Sequence, residues 1–148
     1  MSSYNTETPT TYIDEMSIDE RKSFLKILSH LARADGNFDD DEKHFIKNLC
    51  VIFGINKNEI PTILTPISSE DVIKEASRIK NRQAALQLIK EACLLSNSDG
   101  DLSEQEVVLI GKIGQAMNVE LEKIEQISQW VIDRIIWLEQ GKLIFEQL

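Results

Sequence analysis

The chain has 148 residues, with 25 acidic against 16 basic side chains and a net charge of −9. This length predicts one domain with one core. The acidic balance argues against nucleic acid as a partner, because phosphate backbones require clustered Lys and Arg. Divalent cations, basic partners or simple solubility fit such a chain better.

The N-terminal residues, MSSYNTETPTTY, have neither the basic start nor the apolar stretch of a signal peptide. No apolar segment approaches the roughly 18 residues of a membrane span. We expect residues 1–16 to form a polar arm before a single helical domain over 17–148. Cys50 and Cys93 lie in apolar, helical settings, which predicts buried free thiols and a reducing compartment, the cytoplasm.

Helical spacing of apolar residues along almost the whole chain predicts an all-α fold. A capping box, Ser17 with Glu20, begins the first helix, which Asp35-Gly36 ends. A second helix begins at Asp39 and ends at Gly54. Its predicted inward-facing residues are Phe45, Ile46, Leu49, Ile52 and Phe53.

The middle of the chain predicts shorter elements. Asn56 with Glu59 can cap a third helix that has Pro61 in its first turn. Residues 65–69, TPISS, form the predicted linker, and Ser68 or Ser69 then caps a helix over about 69–79.

The second half of the chain predicts three longer helices. Asn81 begins one that ends near Asn97, and Ser103 begins the next. The last runs from about Val119 to Gln140 and ends at Gly141, although the closing KLIFEQL could add another turn. Gly111 and Gly114 fall inside a helix, and close approach of a neighbouring helix would compensate for their low helix propensity.

A shift of 64 residues superposes LARADGNFDDDEKHFI (31–46) on LSNSDGDLSEQEVVLI (95–110). The matches fall on the turn, the helix cap and the apolar face, where a shared shape would require them. The pattern therefore predicts a duplication, with repeat units at about 17–64 and 81–140. It further predicts two helix hairpins related by a pseudo-twofold axis.

The repeated DG…E turn has two interpretations. Asp39 with Glu42, and Ser103 with Glu106, have capping-box spacing, which would make the turn purely structural. A conventional calcium loop is disfavoured, because its first ligand position holds Leu31 and Leu95. A hard divalent cation, calcium or magnesium, could still bridge carboxylates from both turns if the turns meet. The shared site would then collect Asp35, Glu42, Asp99 and Glu106.

Two copies of A/S-D-G-x-Φ-x-x-x-E (Φ apolar), each at a helix–helix junction, resemble the TerB-like family over roughly residues 20–140. The resemblance implies a compact all-α domain with internal two-fold pseudosymmetry. It also implies an acidic cluster proposed to hold a divalent metal. By motif position this cluster falls on Asp35, Glu42, Asp99 and Glu106, with Asp39 and Asp101 as weaker candidates.

The same resemblance implies a non-enzymatic role in tellurite or wider chemical-stress resistance, with a protein partner such as a membrane-associated complex. In the second copy Ser98 stands where the family usually has Ala, and Ser103 replaces Asp39 as cap, so that half is less acidic. The family includes the N-terminal domain of a DnaJ-like co-chaperone, but the His-Pro-Asp signature of a J domain does not occur here.

An alternative function rests on the last helix. Trp130 and Trp137 are seven residues apart and therefore share a face. Either both close the core, or one stays exposed as a surface for a protein partner or a homodimer. In that alternative the DG…E turns are structural only. His30 and His44 have no zinc-ligand spacing, and His44 is expected on the surface. The sequence contains neither a nucleophile elbow nor a Gly-rich phosphate loop, so no motif of this kind indicates an enzyme.

Overall fold

A computed structural model describes residues 11–34, 39–96 and 104–146, which contain eight α-helices and no strand. A short 3-10 turn, Lys57–Glu59, precedes the fourth helix. The predicted all-α fold is confirmed. The helices are α1 (Tyr12–Glu15), α2 (Ile18–Ala34), α3 (Asp40–Ile52), α4 (Ile60–Leu64), α5 (Ser69–Ala76), α6 (Arg82–Ser96), α7 (Glu104–Ala116) and α8 (Leu121–Glu146).

Helices α2 and α6 form the centre of the molecule and pack against each other. Helix α2 also contacts α3, α4 and α5, whereas α6 also contacts α1, α7 and α8. Both central helices carry fully buried side chains, among them Phe24, Leu28, Leu88 and Ile89. Burial of each such side chain stabilises the fold by about 1.5–3 kcal/mol.

Tyr12 and Met16 belong to the core and not to the predicted polar arm. Helix α1 buries Tyr12, and Met16 directly after it is also buried. The Tyr12 ring lies 6.0 Å from that of Phe24 and 6.4 Å from that of Phe53. Burial, and then the negative charge of Glu91, raise the pKa of Tyr12 to about 12. The apolar face of a one-turn helix was too short to stand out by periodicity.

The capping box at Ser17 and Glu20 is confirmed, and it links α2 to α6. The Glu20 N–H donates to Ser17 Oγ over 3.1 Å, and the Ser17 N–H donates to Glu20 Oε1 over 3.1 Å. The second oxygen of Glu20 accepts from the Lys80 N–H, two residues before α6, over 3.0 Å. One carboxylate thus ties the starts of both central helices.

The local structure of the first half recurs 64 residues later. The starts of α2 and α6 are separated by this interval, and so are both ends of α3 and α7. Each of the two helix pairs is followed by a residue in the left-handed region, Gly54 with φ 71° and Asn118 with φ 61°. These are the positions where L-residues other than Asn are disfavoured.

Backbone hydrogen bonds repeat with the same interval. The Ile55 N–H donates to Cys50 O over 2.9 Å, and the Val119 N–H donates to Gly114 O over 2.9 Å. This bond, from the residue after the left-handed one back to the last helical turn, is the Schellman pattern. The two helix pairs therefore end in the same local geometry. The pseudo-twofold axis between them stays a prediction.

Helix α3 buries a narrower face than predicted. Ile46, Cys50 and Phe53 are buried, whereas Phe45 is 38% exposed and Ile52 is 63% exposed. The inward orientation predicted for Phe45 and Ile52 is therefore wrong. Helix α3 packs mainly on α2 and α4, so only one stripe at spacings of three and four residues is covered.

Helix α8 does not end at Gly141 but continues to Glu146. Gly141 is not in the left-handed conformation that would end a helix. A single internal glycine costs only about 1 kcal/mol relative to Ala, which is too little to end a helix that is well formed on both sides. In the described ranges neither α8 nor any other helix has the length and apolarity needed to cross a membrane.

Candidate functional site: acidic turns and the outer face of the last helix

The predicted metal ligands are only partly covered by the structure. Asp35, Asp99 and Asp101 lie outside the described residues. Asp39 caps α3 and accepts a hydrogen bond from the Glu42 N–H over 2.9 Å. This is the structural role that the capping interpretation gave to Asp39.

Glu106 lies on the wall of a cavity of about 620 Å³ beneath the start of α7. Glu70, Glu104 and His30 line the same cavity, but Glu42 does not. Helix α7, which carries Glu106, packs on α5, α6 and α8, and α3 packs mainly on α2 and α4. Among residues 11–34, 39–96 and 104–146, no three His, Cys, Asp or Glu side chains are close enough to hold a metal. The shared site stays a prediction that depends on Asp35 and Asp99.

The two histidines have different surroundings. His44 is exposed on α3, as predicted. His30 is half-buried, and burial lowers its pKa, although a hydrogen bond to the Ile67 backbone works in the opposite direction. The neutral imidazole is thereby favoured against the apolar wall of the cavity.

Trp130 and Trp137 are both exposed, so the interpretation that they close the core is wrong. Trp130 is 43% exposed and Trp137 is 70% exposed. The core is closed instead by Ile124 and Val131, which lie on the other side of the same helix and are buried. Positions 124 and 131 are also seven apart, so periodicity alone did not distinguish the two faces.

Sequence reasoning missed one residue of this face, because it ended the helix at Gly141. Ile144 follows Trp137 by seven residues and is 64% exposed. We define the outer stripe of α8 as Trp130, Trp137, Gly141 and Ile144. Gly141 follows Trp137 by four residues and precedes Ile144 by three, so it lies on the same face. A Cβ atom at Gly141 would meet no atom within 4 Å.

The outer stripe is part of a larger apolar region at the C-terminal end of α8. The other exposed apolar residues there are Ile136, Leu138, Leu143 and Phe145. Exposed apolar residues elsewhere are single, such as Ile18, or in pairs, such as Val51 with Ile52 on α3 and Val107 with Val108 on α7. Isolated pairs are normal on protein surfaces, whereas a contiguous patch indicates an interaction site.

A groove of about 410 Å³ runs between α7 and the N-terminal half of α8. Gly111, Val107 and Leu121 line it, and Cys93 lies at its base. Burial raises the pKa of the Cys93 thiol to about 11, partly offset by a hydrogen bond with Ser128. Cys50 is also a buried free thiol. Both cysteines are therefore buried, as predicted, and held in the unreactive thiol form.

Together these features define a class: an all-α domain with a recurring helix-pair geometry and an exposed apolar face on its last helix. Residues 4–64 match the model of a family described as tellurite resistance protein TerB. Over this segment the chain is similar to that family. The match ends with α4, and the local geometry of α2 and α3 recurs beyond it in α6 and α7. Neither the curated proteins nor the solved structures contained a match.

Proposed function

We propose that this protein is a non-catalytic, tellurite-resistance-type protein that acts by binding another protein chain through the outer stripe of α8. The observation that carries the proposal is the exposure of Trp137 on a regular helix. An exposed Trp leaves a large apolar ring in contact with water, and burying that ring against a partner is favourable. Trp is also among the residue types most enriched at binding hot spots. The TerB-like family match supports the stress-resistance role.

The stripe is suited to binding because it is already formed. Helix α8 packs on α6 and α7 and buries Ile124 and Val131, which fixes the helix that carries the exposed residues. A partner therefore binds a pre-ordered surface and does not have to order it, which removes part of the entropic cost of association.

The test is photo-crosslinking inside the cell that makes the protein. A photoreactive amino acid at position 137 should give a covalent adduct of defined mass, and the same group at position 51 should not. Val51 is a matched control, because it is 68% exposed on α3, away from the stripe. Absence of any adduct from position 137 would overturn the proposal.

Resistance itself is tested by complementation. Cells that lack the protein and are challenged with tellurite should be rescued by the Val51→Lys variant but not by Trp137→Lys. Because both side chains are exposed, neither variant should lower the melting temperature. Equal rescue by the two variants would contradict a role for the stripe.

A divalent cation at the acidic turns is a second proposal. Asp39, Asp40 and Asp41 are all exposed at the start of α3, so a cation can reach them, and binding would relieve their mutual repulsion. At one hundred times its dissociation constant, calcium or magnesium would stabilise the fold by about 2.7 kcal/mol. The response should disappear in Asp35→Asn and Glu106→Gln. If neither cation changes the melting temperature, the cation site is refuted and helix capping is the only role left for these acidic residues.

A further inference from the structure

We propose that the outer stripe of α8 binds the same stripe of a second copy of this chain, with the two α8 helices parallel. The inference rests on the proposed function and names its partner. It depends on the arrangement of apolar and charged residues around the C-terminal half of α8.

The first argument is that the apolar face changes sides along α8. Up to Ile135 the face toward the core holds the buried Ile124 and Val131 and the partly buried Ile135. Positions four, seven and eleven residues after Ile135 continue this direction, and they hold Glu139, Lys142 and Glu146. The core-facing direction thus becomes charged.

The opposite direction becomes apolar over the same length. At about 100° per residue, Trp137 points about 160° away from Ile135. Trp130 and Ile144 lie within about 20° of Trp137. The stripe therefore does not extend the chain's own core. A second body must contact α8 from the other side to cover it.

The second argument is that the covering body is a helix. Trp130, Trp137 and Ile144 repeat every seven residues, which is the period of two helices that wind around each other. Gly141 leaves a hollow between Trp137 and Ile144, because a Cβ atom placed there would meet no atom of this chain within 4 Å. A side chain of a facing helix can enter this hollow.

The third argument concerns the flanking charges, which select a parallel copy. Asp133 lies about 40° to one side of Trp137 and Arg134 about 60° to the other. In a parallel pair related by a two-fold axis along the helices, each flank meets the opposite flank of the second helix. Asp133 of each copy then lies beside Arg134 of the other, and the two residues are offset by about 1.5 Å along the helix axis.

An antiparallel pair would bring like flanks together, so Asp133 would lie among Gln129, Ile136 and Gln140 of the other copy and would meet no opposite charge. The Gln129 side chain donates to Asp133 over 2.9 Å and holds this carboxylate along the helix. The charge pattern therefore disfavours the antiparallel arrangement and complements the parallel one.

Analytical ultracentrifugation of the full chain tests the inference. We expect a monomer–dimer equilibrium for the wild type, a dissociation constant about thirtyfold or more weaker for Trp137→Lys, and an unchanged constant for Val51→Lys. Thermal melting under monomeric conditions should be the same for all three. A wild type that stays monomeric, or a dimer that Trp137→Lys leaves intact, would overturn the inference.

A charge exchange tests the parallel arrangement. Asp133→Arg places two basic flanks together and should weaken the dimer about five- to tenfold. The double variant Asp133→Arg with Arg134→Asp should restore the wild-type constant, because each flank again meets its opposite. A double variant as weak as the single one would refute the parallel pairing.

The two levels of the proposal separate in the crosslinking experiment at position 137. An adduct with the mass of two chains supports both. An adduct with a different protein keeps the proposed function and refutes self-association. Absence of an adduct refutes the proposed function as well.

Discussion

Gly111 and Gly114 lie one turn apart in α7 but have different surroundings, so adding a side chain should have a different effect at each. A Cβ at Gly114 would lie 2.4 Å from Ile124 Cδ1 and 3.0 Å from Ile124 Cγ1, whereas one at Gly111 would meet nothing within 4 Å. The predicted close approach is confirmed at Gly114 and wrong at Gly111. Helix α8 crosses α7 at Gly114, while Gly111 opens onto the groove.

We expect Gly114→Ala to destabilise the protein by about 1–3 kcal/mol, because the buried Ile124 must move. Gly111→Ala is the matched control and should stabilise by up to about 1 kcal/mol through helix propensity. Urea unfolding of both variants measures the difference. Ile124→Val in the Gly114→Ala background should recover part of the loss, and equal stability of the two alanine variants would contradict the packing argument.

The left-handed residues provide a second comparison. Gly54 and Asn118 occupy equivalent positions after α3 and α7. Gly54→Ala should lose about 1 kcal/mol, because the left-handed conformation costs an L-residue roughly that much, and Gly54→Asn should lose less. Asn118→Gly should be neutral or slightly stabilising. Thermal unfolding checks this order, and a destabilised Asn118→Gly would show that the Asn side chain has another role.

At the scale of the element, the start of α2 depends on one carboxylate. Burial acts to raise the pKa of Glu20, but N–H groups of Lys80, Ser17 and Asn81 more than offset it, so the pKa lies below its ordinary value. The ionised form is therefore favoured by folding. Its stabilising contribution is present above the unfolded-state pKa and is lost as pH falls through the lower, folded-state pKa.

We expect Glu20→Gln to reduce the loss of stability between about pH 5 and pH 3, measured as the urea midpoint at each pH. At neutral pH this variant should be the less stable, because its amide replaces a charged acceptor. Glu122→Gln, at an exposed position in the first turn of α8, is the matched control for the loss of one acidic side chain. An unchanged profile for Glu20→Gln would show that this carboxylate does not link the two helices.

The whole molecule determines the reactivity of both cysteines. Burial raises the pKa of Cys50 as well as that of Cys93, and both side chains are buried in the core between helices. Only opening of the packed helices exposes them to solvent and lets the reactive thiolate form.

We expect a thiol reagent at about pH 8 to label neither cysteine until the protein unfolds. The labelling rate should rise with urea in parallel with loss of helical circular dichroism. In the Gly114→Ala variant the cysteines should be labelled faster, by the same factor by which the substitution raises the unfolding equilibrium constant. Rapid labelling of Cys93 in the native protein would instead show that the groove between α7 and α8 opens on its own.

Local chemistry in the sequence was sufficient to predict the all-α fold and most helix starts. Ser17, Asp39, Ser68 and Asn81 each cap the predicted helix through their own side chains, because a cap is a contact within a few residues. The recurrence at 64 residues was visible for the same reason, since turns and caps are encoded locally.

Only the tertiary structure decided which apolar residues are covered. Phe45 and Trp137 have the periodicity of buried positions but are exposed, and Tyr12 was expected in a polar arm but is buried. Periodicity specifies that a helix has an apolar face, whereas burial depends on whether another helix lies against that face. That neighbour is contributed by distant parts of the chain for Tyr12, and, on our proposal, by a second chain for Trp137.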